Sequence, residues 1–180
     1  MNPNDYSKTV IYQIKWLMRG WLMCMIDGHK FNLGCELGTY NGNTAFFLLD
    51  NAPWLTLHTV DIFEQQPEHE DYHRETYNFK EKFPAFMEKA QKYGDRLIVH
   101  KGWTHEVATE FKDESLDFVF IDADHTYEGC KRDILAWKSK VKPEGLLMGH
   151  DAHFPGVIQA VTECCKNRHV NTGTYCWAGS

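Results

Sequence analysis

Short apolar runs alternate with amphipathic segments along this chain, and the alternation predicts strands separated by helices. The segment 8–26 carries apolar residues at helical spacing, and further helices are predicted at 43–50, 79–93, 103–111, 127–141 and 157–166. Strands are predicted at 31–36, 55–63, 96–100, 116–121 and 145–149, with a last one in 174–179. Pro143 and Gly145 predict the end of the helix 127–141.

This order of elements predicts an α/β fold, because strands that alternate with helices form βαβ units. We expect a Rossmann-like, doubly wound, mostly parallel sheet with helices on both faces. The 180 residues suit a single domain, with residues 1–28 as an N-terminal helix and residues 29–180 as the α/β core. Ligands of such sheets bind beyond the carboxyl ends of the strands, so the residues that follow each strand are the functional candidates.

Composition and charge narrow the classes of partner. The net charge of −6 gives no basic surplus for nucleic acid, although a local basic groove stays open. The apolar stretch 10–26 is interrupted by Lys15 and Arg19 and is short for a membrane span. The six cysteines include no Cys-x-x-Cys pair, which argues against structural zinc, and the first residues do not resemble a secretory signal. We expect a cytoplasmic protein that binds neither nucleic acid nor membranes, with tryptophans and methionines of the first helix as a homo-dimer contact.

The first predicted strand ends in a turn with two glycines, Gly38 and Gly42. These glycines permit a tight turn and let a ligand approach the backbone. Asn43 or Thr44 can cap the following helix and leave its first N–H groups for an anion. The Gly-x-x-x-Gly spacing differs from both the dinucleotide and the P-loop motif, which argues against a pyrophosphate site. An ordinary turn from strand to helix is the alternative.

The next two strand ends carry an acid and an aromatic residue. Asp61 lies about 20 residues beyond the glycines, where a carboxylate can accept hydrogen bonds from the two hydroxyls of a ribose. The alternative is an exposed acid without a partner. Gly102 and Trp103 follow the third strand, where an aromatic ring can flank an adenine. The alternative is a core tryptophan at the start of a helix.

Acids and histidines follow strands four and five. Asp122 and His125 come after the fourth strand, and His150 and Asp151 after the fifth. Because these strand ends are neighbours in a doubly wound sheet, Asp122, His150 and Asp151 are predicted to meet around one divalent cation. Oxygen ligands favour magnesium, calcium or manganese, and a histidine suits manganese, iron or zinc. The alternative is that His125 and His150 are hydrogen-bonding pocket residues without a metal.

Three runs resemble the class I S-adenosylmethionine-dependent methyltransferases, closest to the branch of small-molecule and sugar O-methyltransferases. They are ELGTYNGNT (36–44), HTVDIFE (58–64) and FIDADHTYEGCKRDILAWKSKVKPEGLLMGHD (120–151), and the resemblance covers about residues 30–165. It implies that S-adenosylmethionine lies along the strand ends. The implied residues are Glu36, Gly38, Thr39, Tyr40, Gly42, Asn43 and Thr44 around the methionine and sulfonium, Asp61 and Ile62 at the ribose, Gly102, Trp103 and Thr104 at the adenine, and Asp122.

The resemblance also implies residues for the chemistry. In the metal-dependent branch, acids after strands four and five hold magnesium at the acceptor, and these positions correspond to Asp122 and Asp151 here. The third ligand position is His150, where an acid often stands in that branch. A histidine three residues after the first acid serves as the base, and here this is His125. The expected activity is methyl transfer to a hydroxyl of a small molecule, with Asp122 orienting the acceptor and Mg²⁺ or another divalent cation assisting.

Two alternative functions stay open at this point. The first is a domain that binds S-adenosylmethionine without methyl transfer, and the second is a metal-dependent hydrolase on the same fold. A nicotinamide oxidoreductase is disfavoured because the pyrophosphate turn is missing. The polar stretch 64–78 is predicted to be either a lid or acceptor loop, or a solvated connector.

Overall fold

The computed structural model of the protein describes residues 3–64 and 79–180, with the side chains of residues 3–12, 14, 79 and 80 outside this description. The helices are α1 (Pro3–His29), α2 (Asn43–Asn51), α3 (Phe79–Ala90), α4 (Thr104–Val107), α5 (Tyr127–Trp137) and α6 (Pro155–Cys164). The strands are β1 (Leu33–Leu37), β2 (Thr56–Asp61), β3 (Leu97–Lys101), β4 (Leu116–Ile121), β5 (Val141–Gly149), β6 (His169–Asn171) and β7 (Cys176–Gly179). The predicted alternation of strands and helices is confirmed.

The strands form one sheet in the order β3-β2-β1-β4-β5-β7-β6. The five strands β1 to β5 pair in parallel, and β7 pairs antiparallel with both β5 and β6. The chain order reverses between β1 and β4, and ligands of open α/β sheets bind at such a switch point. The predicted Rossmann-like, mostly parallel sheet is therefore confirmed.

Two apolar cores cover the two faces of the sheet. Consecutive residues of β4 show the division, because Phe118 and Phe120 belong to one core and Val119 and Ile121 to the other. The first core contains side chains of α1, α2 and α3, and the second contains side chains of α4, α5 and α6. Side chains of a strand alternate between faces, so a central strand covered on both sides is apolar throughout.

Helix α1 belongs to the first core. Its residues Met18, Leu22 and Ile26 are buried, and the same cluster contains Leu48 of α2. These three residues recur at four-residue spacing, which places them on one face of the helix. The part of the chain that the structure describes contains no helix with the length and apolar character needed to cross a membrane.

The predicted start of β5 is wrong. A 3₁₀ turn at Lys138–Lys140 continues α5, so helical structure ends close to the predicted position, but β5 begins at Val141 and contains Pro143. The pairing of β4 with β5 shifts register between Leu116 and Phe118. Such a bulge accommodates a proline, which has no N–H to donate to the ladder.

Backbone hydrogen bonds draw the carboxyl ends of the strands together. Gly38 N donates to Val60 O at 2.9 Å, and Asp122 N donates to Leu37 O at 2.9 Å. His150 N likewise donates to Ile121 O at 3.0 Å. The turns that follow β1, β4 and β5 therefore lie side by side at one edge of the molecule.

Candidate functional site

The turn after β1 is left-handed at three positions. Gly38, Tyr40 and Gly42 have φ angles of 86°, 52° and 76°. A Cβ on Gly38 would lie 2.1 Å from the carbonyl oxygen of Asp122, and one on Gly42 would lie 2.6 Å from the ring of Phe86. The two glycines are thus required by the packing of the protein itself, in addition to any ligand that approaches them.

The predicted cap of α2 by Asn43 or Thr44 is wrong. The N-cap position belongs to Gly42, which has no side chain with which to cap the helix. Asn41 Oδ1 instead accepts from Asn43 N at 3.3 Å. The hydroxyl of Thr44 faces another element, because it accepts a hydrogen bond from Arg19 Nε of α1 at 3.4 Å.

Asp61 joins the end of β2 to the glycine turn. One carboxylate oxygen accepts from Tyr40 N at 2.7 Å, and the other accepts from Phe63 N at 2.6 Å. The alternative of an acid without a partner is therefore wrong. Burial raises the pKa of Asp61 to about 6, although backbone N–H donors act in the opposite direction. Each oxygen keeps a second lone pair, so the carboxylate can also accept from ligand hydroxyls.

Glu36 is the most enclosed acid at this edge, with 2% of its surface exposed. Burial raises its pKa well above the ordinary value, and the negative charges of Asp122 and Asp61 raise it further. Its Oε2 atom has no hydrogen-bond partner among the described residues. A buried carboxylate in this state favours a ligand that brings positive charge or hydrogen-bond donors.

Hydrogen bonds to α5 hold the turn after β3 in place. Gly102 N donates to Asp61 O at 3.0 Å, which ties this turn to β2. The Thr104 hydroxyl donates to buried Asp133, and Trp137 Nε1 donates to Thr104 O at 3.0 Å. Trp103 itself is 41% exposed, so the alternative of a core tryptophan is wrong.

Four titratable side chains meet at the ends of β4 and β5. His125 Nε2 lies 2.8 Å from Asp151 Oδ2 and 3.8 Å from Asp122 Oδ1. His150 Nδ1 lies 3.1 Å and 3.5 Å from the same two oxygens. We call these residues the acid–histidine cluster. Asp122, His125 and Asp151 each offer a ligand atom within 4.8 Å of the others, so they form a candidate cation site.

Ion pairing dominates the electrostatics of the acid–histidine cluster. Burial alone would lower the pKa of His125 and of His150, but hydrogen bonds and charges from Asp122 and Asp151 raise both to about 10. Burial alone would raise the pKa of Asp151, yet the two histidines hold it well below its ordinary value. The contacts with these acids therefore favour the protonated form of both histidines.

Aromatic rings surround the acid–histidine cluster. Phe154 stacks on His125 with ring centroids 5.3 Å apart, and His153 contacts Phe154 at 4.3 Å. Tyr175, from the β6–β7 connection, lies 4.6 Å from the ring of His153. Sequence reasoning missed Phe154 and Tyr175, because neither stands directly after a parallel strand.

Two positively charged side chains near the turn after β1 were also not predicted from the sequence. Arg19 reaches Thr44 from α1, and Lys82 Nζ of α3 lies 4.2 Å from the ring centroid of Tyr40. The only sequence signal for Arg19 is a charge inside an apolar helical segment.

The remaining predicted residues lie at the same edge. Thr39 is buried, Ile62 is half-buried directly after β2, and Asn43 is exposed at the start of α2. The structure thus brings the turns after β1, β2 and β3 together at the predicted donor site. Residues 65–78 of the predicted lid or acceptor loop lie outside the described residues.

Comparisons with known proteins agree with this geometry. Residues 35–152 match the model of a family described as a methyltransferase domain. No curated protein matches the sequence at a significant level.

Several solved structures share the fold at low identity. A protein described as a caffeoyl-CoA O-methyltransferase from Staphylococcus aureus superposes with a TM-score of 0.66 at 13% identity, covering 90% of this chain and 81% of that one. The methyltransferase PaMTH1 from Podospora anserina, bound to S-adenosylhomocysteine (SAH), gives 0.63 at 14% identity, with coverages of 94% and 85%. A protein described as an O-methyltransferase from Klebsiella pneumoniae gives 0.59 at 16% identity, with coverages of 89% and 78%.

The family match spans more than half of the chain and includes the turn after β1, Asp61 and the ends of β4 and β5. This chain therefore belongs to the methyltransferase domain family, and it is a class I S-adenosylmethionine-dependent methyltransferase.

Proposed function

We propose that the protein transfers the methyl group of S-adenosylmethionine to a hydroxyl oxygen of a small molecule, at the carboxyl ends of β4 and β5. The observation that carries this proposal is the acid–histidine cluster, whose Asp122 is hydrogen-bonded through its backbone to the end of β1. Two of the similar structures are described as O-methyltransferases, which favours oxygen as the acceptor atom.

Positioning is the first task of the site. A sulfonium methyl is already electrophilic, so the protein must hold the acceptor oxygen in line with the methyl carbon and the sulfur. Such alignment contributes up to ~7–11 kcal/mol in ideal cases. The rings of His153, Phe154 and Tyr175 offer flat surfaces against which a small acceptor can pack.

Removing the proton of the hydroxyl is the second task, and we assign it to His125. A histidine base contributes typically ~10²–10⁴-fold to the rate. The ion pairs with Asp122 and Asp151 raise the pKa of His125 to about 10, so its imidazole carries a proton in the ligand-free protein. The assignment therefore requires the acceptor, or a cation, to bind these two carboxylates in place of His125. Its pKa then falls, and the neutral imidazole can accept the proton of the hydroxyl.

A divalent cation fits the donor set of this site. Two carboxylates with one imidazole suit magnesium or manganese, and Asp122 and Asp151 supply the carboxylates. When bound, such a cation would lower the pKa of the acceptor hydroxyl. An imidazole that ligates through Nε2 cannot accept a proton there, so with His125 as the base we assign the nitrogen-ligand position to His150, which lies near the same two carboxylates.

The function is tested by measuring SAH formation from S-adenosylmethionine with catechols, hydroxycinnamates and sugars as acceptors. We expect acceptor-dependent formation of SAH. His125→Ala should lower kcat by ~10²–10⁴-fold, while calorimetric binding of SAH stays close to wild type. His169→Ala removes an exposed histidine of β6 and should leave both values unchanged.

Two outcomes would contradict these assignments. If His125→Ala keeps full turnover, His125 is not the base. Tight SAH binding without turnover across all acceptor classes would favour a domain that binds the donor without methyl transfer.

The cation is tested separately, by titrating the protein with MnCl₂. We expect Asp151→Asn and His150→Ala to abolish binding, and His125→Ala to retain it. Turnover should fall in EDTA and return with Mn²⁺. Equal turnover in EDTA and in MnCl₂ would show that the acid–histidine cluster works as an ion-paired network without a metal.

A further inference from the structure

Asp151 has an uncommon backbone conformation at the centre of the acid–histidine cluster. Its φ angle is 58°, in the left-handed region that residues other than glycine rarely adopt. In this conformation its carboxylate lies 2.8 Å from His125 Nε2 and 3.1 Å from His150 Nδ1. A strained residue persists only where the surrounding structure holds it. The contacts that hold the backbone of Asp151 therefore decide where this carboxylate lies.

Those contacts come from β6, β7 and the connection between them, which we call the C-terminal hairpin. The backbone on each side of Asp151 is hydrogen-bonded to it. Trp177 Nε1 donates to His150 O at 3.2 Å, and Ala152 N donates to Tyr175 O at 2.9 Å. One bond precedes Asp151 in the chain and the other follows it, so the hairpin fixes the backbone from both sides.

The two hairpin residues are themselves held in defined positions. Trp177 is fully buried and lies opposite Gly149 where β7 pairs with β5. A Cβ on Gly149 would lie 2.5 Å from the indole ring, so the glycine lets the indole pack over the end of β5. Tyr175 has a φ angle of 56° and is left-handed as well. Its carbonyl reaches Ala152 from this conformation.

We propose that Trp177 and the backbone of Tyr175 act as positioning residues for Asp151, and so set the geometry of the acid–histidine cluster. In this role the indole acts through Asp151 rather than on the reacting atoms. The C-terminal hairpin lies beyond residues 35–152, which match the methyltransferase domain family, so these contacts come from a part of the chain outside that match. The inference rests on the assignment of the acid–histidine cluster in the proposed function.

The first test compares two variants that both lack the tyrosine ring. Glycine adopts a positive φ without strain, whereas proline is fixed at a φ of about −65°. Tyr175→Gly should therefore keep the carbonyl in place for Ala152 N, and Tyr175→Pro should displace it. We expect kcat of Tyr175→Pro to lie roughly 10- to 100-fold below that of Tyr175→Gly, because a small misplacement at a reacting site has an effect of this size. Calorimetric binding of SAH should be the same in both variants.

The second test removes the indole N–H. Trp177→Phe keeps an aromatic ring in the core but has no donor for His150 O. We expect kcat to fall roughly 10- to 100-fold with SAH binding unchanged. Leu22→Ala is the control for lost stability, because it shortens a fully buried side chain in the core on the other face of the sheet. It should lower the urea midpoint and keep kcat at temperatures well below its Tm. Equal kcat losses in these two variants would show that Trp177 only stabilises the fold.

Crystal structures of the variants give a readout that does not depend on turnover. Asp151 should keep its contacts with His125 and His150 in Tyr175→Gly, and it should lose its left-handed conformation in Tyr175→Pro. The structure of Trp177→Phe provides the same readout if Tyr175→Pro does not fold.

The outcomes separate this inference from the proposed function. An unchanged Asp151 in Tyr175→Pro and in Trp177→Phe, or equal kcat values for the two Tyr175 variants, would overturn the inference. If the wild-type protein transfers no methyl group to any acceptor, the proposed function fails, and the crystal structures still decide whether the C-terminal hairpin positions Asp151.

Discussion

At the scale of single residues, the turn after β1 depends on the missing side chain of Gly38. Gly38→Ala should lower the free energy of unfolding by roughly 2–5 kcal/mol, because a left-handed alanine is strained and its Cβ would press on the Asp122 carbonyl. Gly94 is a control for backbone strain alone, since its φ of 52° is also positive but its Cβ position has open space around it. Gly94→Ala should cost about 1–3 kcal/mol. Urea unfolding measures both free energies. Equal losses in the two variants would show that the contact with the Asp122 carbonyl does not add to the cost at Gly38.

The raised pKa of Asp61 predicts pH-dependent donor binding. A carboxyl with a pKa of about 6 is largely protonated at pH 5, and it then accepts hydrogen bonds from ribose hydroxyls less well. The dissociation constant for SAH should therefore rise about tenfold between pH 7.5 and pH 5, in proportion to the lost carboxylate. Calorimetry at several pH values measures it. Asp61→Asn should bind weakly at every pH, and a pH response that survives in this variant would assign the effect to another group.

At the scale of elements, α1 carries core contacts on one face and solvent-exposed residues on the other. Leu22 is fully buried, whereas Leu17 on the same helix is 58% exposed. Leu22→Ala should lower the free energy of unfolding by roughly 2–5 kcal/mol, because it leaves a cavity against α2. Leu17→Ala should change it by less than about 0.5 kcal/mol. Similar urea midpoints for the two variants would show that α1 is only loosely attached.

At the scale of the whole molecule, a ligand bound across several strand ends stabilises the entire fold. SAH at about 100 times its dissociation constant should add about 2.7 kcal/mol. For a protein of this size, that stabilisation corresponds to a rise in Tm of roughly 5–10 °C. Differential scanning fluorimetry measures the shift, and NADH at the same concentration is the control because the pyrophosphate turn is missing. An equal shift with NADH would contradict a site specific for the methyl donor.

Several site residues were predictable because parallel strands share one edge for their carboxyl ends. Asp61 is the last residue of β2, and Asp122 and Asp151 come just after β4 and β5, so strand order along the chain was enough to bring them together. Arg19 and Tyr175 were not predictable in this way. The first projects from the helix before β1, and the second lies in the β6–β7 connection, so only the packed fold places them near the site.

The start of β5 and the cap of α2 were also not predicted correctly from the sequence. The prediction that β5 begins only at Gly145 failed because a bulge in the sheet tolerates Pro143 and its missing N–H within the strand. The prediction of Asn43 or Thr44 as a helix cap failed because Gly42 already occupies that position in a left-handed conformation. In both cases the local preference was overridden by pairing or packing with a distant part of the chain.

The sequence by itself determined the alternation of strands and helices, the glycine turn and the acids that follow the strands, because these features depend on neighbouring residues and on a fixed periodicity. Only the tertiary structure decided that both glycines are held by contacts with Asp122 and Phe86. It also decided that His125 and His150 share the same two carboxylates, and that Arg19 reaches Thr44. Such contacts join residues distant in sequence, and their distances follow from how helices and strands pack around the sheet.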